Sequence, residues 1–111
     1  MSAFAASSLM CDNHLLIWNA RGVNSRARRN VLRNIVELQR ASVVCIQETK
    51  LSNFSATFNM EISGSCYDYA FLPASGVAGG ASISWRGDLW EVSASDRRRF
   101  SITIAIRSLA S

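Results

Sequence analysis

The chain predicts an α/β fold built on a mixed sheet, with a β-α-β start followed by antiparallel strands. Three observations carry this expectation. Two short apolar runs, Leu15-Leu16-Ile17-Trp18-Asn19 and Val43-Val44-Cys45-Ile46-Gln47-Glu48, read as buried strands. The segment between them has helical periodicity, which is the order of a parallel crossover unit. Beyond Glu48, strand-like segments are punctuated by Gly, Pro and Asp turn signals.

Met1 to Met10 is small and mildly apolar, without the basic start and sustained apolar core of a signal peptide, and residues 1–13 read as a disordered leader. Leu15–Trp18 forms the first predicted strand, and residues 19–24 form a loop. Asn24 or Ser25 is placed to cap the helix that follows. From Arg26 to Arg40 the pairs Val31/Ile35 and Leu32/Val36 stack at helical spacing. Ser42–Glu48 is the second strand. Residues 49–64 read as irregular, with Phe54, Phe58 and Met60 as lid or helix contacts. Tyr67–Leu72 is a third strand, Ala81–Trp85 a fourth and Leu89–Ser93 a fifth, the last two forming a hairpin across Arg86-Gly87-Asp88. Asp96–Arg99 reads as a basic turn. Phe100–Arg107 alternates strictly, with Phe100, Ile102, Ile104 and Ile106 on one face. Trp18, Trp85 and Trp90 read as packing residues. No repeat, low-complexity tract or linker interrupts residues 14–111, so they read as one unit.

With 111 residues and 49% hydrophobic content, the composition is that of an ordinary globular domain. The net charge is +4 and Lys50 is the only lysine beside 11 arginines. Arginine forks match phosphate oxygens, so nucleic acid is an expected partner, against the plainer reading of a solvated basic surface. The three cysteines are odd in number and widely spaced, which excludes a disulfide framework and a zinc-finger spacing. Cys45 falls in a strand and reads as a core residue. A reducing compartment fits, so the protein is expected to be nuclear or cytoplasmic and not secreted. No apolar run reaches the roughly 20 residues that span a bilayer, so no membrane is expected.

Asn19 and Glu48 carry the functional expectation. Parallel strands joined by a crossover bring their C-terminal ends to one sheet edge, where ligands bind in α/β folds. An amide oxygen and a carboxylate there suit a hard cation such as Mg²⁺. Arg26, Arg28 and Arg29 crowd a helix start, where cations oppose the macrodipole. Either a bound phosphate relieves that conflict or the side chains extend into water.

At these residues the sequence resembles a known family. Leu16-Ile17-Trp18-Asn19-Ala20-Arg21-Gly22-Val23-Asn24-Ser25 and Val44-Cys45-Ile46-Gln47-Glu48-Thr49-Lys50 look like the first two motifs of the endonuclease/exonuclease/phosphatase superfamily. Gly79-Gly80-Ala81-Ser82-Ile83-Ser84-Trp85 resembles its glycine pair and following strand. The Arg-Gly-x-Asn-Ser-Arg variant at residues 21–26 looks most like the endonuclease domain of plant LINE-type (non-LTR) retrotransposons. The resemblance implies the N-terminal half of a four-layer, DNase I-like sandwich and Mg²⁺-dependent (or Mn²⁺-dependent) phosphodiester cleavage. It implies Asn19 and Glu48 as catalytic and metal residues. Arg21, Asn24, Arg26, Arg28, Arg29 and Lys50 would contact nucleic acid. Arg21 stands where apurinic-site relatives often carry an acidic residue, which would weaken the metal site.

Family domains run to about twice this length, so the resemblance covers a partial domain. Their second half supplies a Tyr, an Asp-x-Asn motif and a terminal Asp-His pair. The chain has no Asp-x-Asn, and its one histidine, His14, precedes the first strand. Asp88 and Asp96 fall in turns. The chain is therefore expected to be inactive alone and to need a missing C-terminal half, or another chain, to complete the sheet. The alternatives are a non-catalytic basic nucleic-acid-binding remnant and a degenerate retrotransposon fragment without selected function.

Overall fold

The computed structural model describes residues 2–7 (as backbone), 14–75, 79–99 and 101–109. Its elements run β1 (Ser2–Ser7), β2 (His14–Asn19), α1 (Arg26–Gln39), β3 (Ala41–Gln47), α2 (Ala56–Ile62), β4 (Tyr67–Leu72), β5 (Ala81–Arg86), β6 (Trp90–Arg97) and β7 (Ile102–Ser108). Five strands form one sheet in the order β1-β2-β3-β5-β4, and β6-β7 form a second, two-stranded sheet. Only β2 and β3 are parallel, and α1 crosses between them as the spacing predicts. The other pairs are antiparallel. This is the mixed α/β sheet expected.

Three expectations are corrected. In place of a disordered leader, Ser2–Ser7 pair antiparallel with β2, from Ser2 opposite Asn19 to Ser7 opposite His14. Residues 8–13 lie outside the described residues. The segment 49–64 is not wholly irregular, because α2 occupies Ala56–Ile62, capped by Ser55 Oγ accepting from Phe58 N at 3.2 Å. Two turns with only Asn59 and Ile62 buried give too few apolar positions to reveal a period. Finally, β5 and β6 do not pair. Both edges of β5 are already bonded, to β3 and to β4. The chain therefore leaves the sheet after Arg86, and β6 extends to Arg97 against β7, so that Asp96 and Arg97 lie in the strand rather than in a turn.

The layering follows from strand alternation. Leu16 and Trp18 of β2 and Val44 and Ile46 of β3 share one face and pack with Leu32 and Val36 of α1 and Ile62 of α2. Val31 and Leu38 of α1 are exposed, so the buried stripe runs through Leu32, Ile35 and Val36. Ser25 caps α1, its Oγ accepting from Arg28 N at 3.1 Å. Trp18 and Trp85 are buried, as expected. On β7, Ile102, Ile104 and Ile106 are half-buried and alternate with exposed residues; Phe100 lies outside the described residues. The hairpin is tied to the main sheet by Trp90 Nε1 donating to Ser42 Oγ at 3.1 Å and Arg97 Nη1 donating to Phe71 O at 2.6 Å.

Asn59 is the polar tie between α2 and the sheet. It is buried, accepts from Ser84 Oγ at 2.7 Å and donates to Tyr67 O at 2.9 Å. Asn59→Ala removes the partner of buried Ser84 Oγ and of the part-buried Tyr67 carbonyl, so we expect a loss of about 2 kcal/mol in urea unfolding. An unchanged midpoint would mean that water replaces the amide.

Candidate active site

The C-terminal ends of β2 and β3 lie side by side, with Asn19 opposite Gln47. The pairing continues past the strands: Ala20 N donates to Gln47 O at 2.9 Å, Gly22 N to Glu48 O at 2.7 Å and Val23 N to Thr49 O at 3.0 Å. This zipper fixes the Asn19 loop against the Glu48 loop. Arg21, Glu48 and Lys50 all have positive φ, at 52°, 54° and 57°. Left-handed backbone costs a non-glycine residue roughly 1–2 kcal/mol, and strain of this kind gathers at functional sites. Here the cross-loop bonds hold it in place.

The wall behind Glu48 is the glycine pair. Lys50 N donates to Gly79 O at 2.7 Å and Thr49 N to Gly80 O at 3.4 Å. A Cβ on Gly79 would stand 3.2 Å from both Cα and Cγ of Glu48. Gly79 and Gly80, the glycine pair of the family resemblance, therefore pack against Glu48. Thr49, next in the chain, is fully buried, and its Oγ1 accepts from Leu51 N at 3.4 Å. Their sequence signal was the resemblance of both segments to family motifs, and the pairing of β3 with β5 brings the two together.

Asn19 Oδ1 is buried and has no hydrogen-bond partner among the described residues. The half-buried Glu48 carboxylate likewise has no ion pair or hydrogen bond among them. A buried acceptor without a donor is costly, so such an atom points to a missing partner. Two hard oxygens fit a magnesium-like ion in kind, since Mg²⁺ is commonly held by one or two carboxylates and completes its shell with water and phosphate. In number they form an incomplete shell. Among the described residues there is no group of three or more His, Cys, Asp or Glu side chains able to hold a metal. His14 sits at the opposite end of β2, its Nδ1 against the Gln39 carbonyl.

The expected phosphate-facing arginines divide. Arg28 Nη1 donates to Arg21 O at 2.7 Å and, more weakly, to the carbonyls of Ala20 and Gly22. Arg29 donates through Nε to Glu61 at 2.6 Å and through Nη1 to Val23 O at 2.9 Å and Asn24 O at 2.7 Å, and stacks over Phe58. These two side chains clamp the loop after β2. For Arg28 and Arg29 the conflict with the helix dipole is relieved by loop carbonyls and the Glu61 carboxylate. Arg21, Asn24, Arg26 and Lys50 are exposed near the Asn19–Glu48 edge. Cys45, half-buried, has its thiol pushed above the usual range by burial, so it stays protonated at neutral pH.

The fold and motifs agree with known proteins. Over 70% of its length the chain superposes on the AP endonuclease LMAP of Leishmania major, with a TM-score of 0.51 and 24% identity. It also matches the catalytic domain of Xenopus laevis APE2 over 75% of its length, with a TM-score of 0.49 and 20% identity. The chain spans about a quarter of each of these structures, 27% and 26%. No curated protein matches it. The sequence model of one family covers residues 16–108, from the start of the Asn19 motif to the end of β7. On that match the chain belongs to the Endonuclease/Exonuclease/phosphatase family.

Proposed function

We propose that the chain is a partial Mg²⁺-dependent phosphodiesterase domain of endonuclease type, which engages DNA at the Asn19–Glu48 edge and does not cut it unaided. The observation that carries this reading is the buried Asn19 Oδ1, without a partner among the described residues, on the loop whose backbone is bonded to the Glu48 loop. A dication bound there would supply neutralisation of charge on the scissile phosphate. Asn19 would offer a neutral oxygen to the ion, and Glu48 the one negative charge. The strained, cross-bonded loops would hold both in register before substrate arrives. Exposed Arg21, Arg26 and Lys50, with Asn24 beside them, would attract the phosphate backbone.

The single carboxylate and the distant His14 favour binding without turnover, since among the described residues no second acid or histidine joins Glu48 at the edge to take the proton from an attacking water. The likeness to LINE-type endonucleases rests on residues 21–26 and is part of this proposal.

Supercoiled plasmid with Mg²⁺ or Mn²⁺ tests the reading. We expect no nicking by the chain alone. We expect duplex binding that weakens with salt, its log–log slope falling by about 0.9 for each of Arg21→Gln, Arg26→Gln and Lys50→Gln. Nicking that Glu48→Gln abolishes would show that the edge suffices for catalysis. Absence of salt-dependent binding would overturn the proposal.

A further inference from the structure

A second basic site lies at the other end of the sheet. β3 separates Arg40 from Glu48 by about 26 Å of extended chain. At its start a cavity of about 640 Å³ is bordered by the last turns of α1, the segment after α2, the first residue of β4 and the last of β5. Arg33, Arg40 and Arg86 line it together with Ser63, Tyr67 and Leu89.

The three arginines are unequally paired. Arg33 donates through Nε to Glu37 at 2.8 Å and through Nη1 to Met60 O at 2.8 Å. Arg86 forks onto Asp88, with Nε at 3.0 Å and Nη2 at 2.5 Å. These contacts orient both side chains and leave Arg33 Nη2 and Arg86 Nη1 without partners among the described residues. The whole Arg40 guanidinium is unpartnered among them as well. Arg40 also closes α1 with φ 50°, a left-handed position usually given to glycine or asparagine. Ser63, only 3% exposed, adds to the cavity wall a hydroxyl without a partner among the described residues.

Attraction to the helix C-terminus accounts for a cation at the cap of α1, Arg40. It does not account for Arg86, which comes from β5, nor for three guanidinium groups facing one cavity that holds a single carboxylate, Glu37. A planar fork with free N–H groups is matched to a phosphate dianion. The apolar side of the wall, with Leu89 and the Tyr67 ring, leaves room for more than the phosphate.

We propose that this cavity binds a phosphate group, the phosphomonoester of a mononucleotide-sized ligand, through Arg40 with Arg33 and Arg86, at a site separate from the Asn19–Glu48 edge. The site stands independently of the proposed nuclease reading.

Amide NMR of the full chain, titrated with inorganic phosphate, adenosine monophosphate, adenosine and an oligonucleotide without terminal phosphates, tests it. Phosphate and the monophosphate are expected to shift residues around Arg40, Ser63–Tyr67 and Arg86, and adenosine is not. Arg40→Gly removes the charge and relieves the backbone, so it should raise the melting temperature while weakening monophosphate binding about tenfold or more. Arg86→Gln should weaken binding too, and Arg98→Gln in the β6–β7 turn should not. No shifts with phosphate or monophosphate, or unchanged binding in Arg40→Gly, would overturn the proposal. So would shifts from the oligonucleotide alone, which would assign the cavity to a nucleic-acid strand.

Discussion

Gly80→Ala is expected to destabilise the protein by about 3 kcal/mol and to loosen the Glu48 loop with it. Gly80 has φ +79°, where any L side chain is strained. An added Cβ would lie 2.8 Å from Thr49 Oγ1, 2.9 Å from Ala74 N and 3.0 Å from Leu72 O. Two of these three neighbours are backbone atoms and cannot swing aside. Ala74 N is also committed to Leu51 O at 2.7 Å, so movement there breaks a bond that closes the loop behind Glu48. The penalty therefore combines left-handed backbone, at roughly 1–2 kcal/mol, with overpacking against fixed backbone, typically about 1–3 kcal/mol. Urea unfolding measures the sum, and amide exchange at Thr49 and Lys50 reports the loosening. Gly79→Ala meets Glu48 at 3.2 Å and carries no positive-φ strain, so it should cost less while still displacing Glu48. A Gly80→Ala protein as stable as the parent would mean that the backbone at Leu72 and Ala74 yields, and that Gly80 does not hold Glu48.

Arg29→Ala is expected to cost about 3 kcal/mol and to leave the salt dependence of DNA binding unchanged. The side chain is 12% exposed and joins three segments. It pairs with Glu61 of α2 at 2.6 Å, bonds the Val23 and Asn24 carbonyls of the loop after β2, and lies 4.6 Å over the Phe58 ring. Its loss leaves the part-buried Glu61 carboxylate and Val23 carbonyl unpaired, at roughly 1–3 kcal/mol for each, while the exposed Asn24 carbonyl can turn to water. Arg29→Lys keeps the charge and loses the fork, and should recover only part of the stability. Exposed Arg26 gives the contrast, with little effect on unfolding and a shallower salt slope. If Arg29→Ala instead left unfolding unchanged and flattened the salt slope, Arg29 would be a phosphate contact and not a clamp.

The β-α-β start, the helix bounds and the Asn19 and Glu48 motifs were legible because local rules decide them. Buried strands are continuous apolar runs, a helix shows its period, and Ser25 caps where a capping residue must stand. Strand β4 was likewise visible from its own residues, at Tyr67–Leu72. What was misread depended on partners far away in sequence. Ser2–Ser7 carries no strong strand signal and forms β1 by adding to the open edge of β2. The expected β5–β6 hairpin failed because β3 and β4 had already taken both edges of β5, which no local turn signal reveals.

The same division runs through the functional residues. The sequence determined which side chains have the chemistry for a metal and for phosphate: one amide, one carboxylate and a surplus of arginines. Only the tertiary structure decided how those arginines are used. Arg28 and Arg29 face loop carbonyls and Glu61, while Arg40 and Arg86, ordinary in sequence, meet across one cavity. The reason is physical. A guanidinium takes whichever acceptors lie within reach of its fork, and those acceptors are set by strand order and loop pairing rather than by its neighbours along the chain.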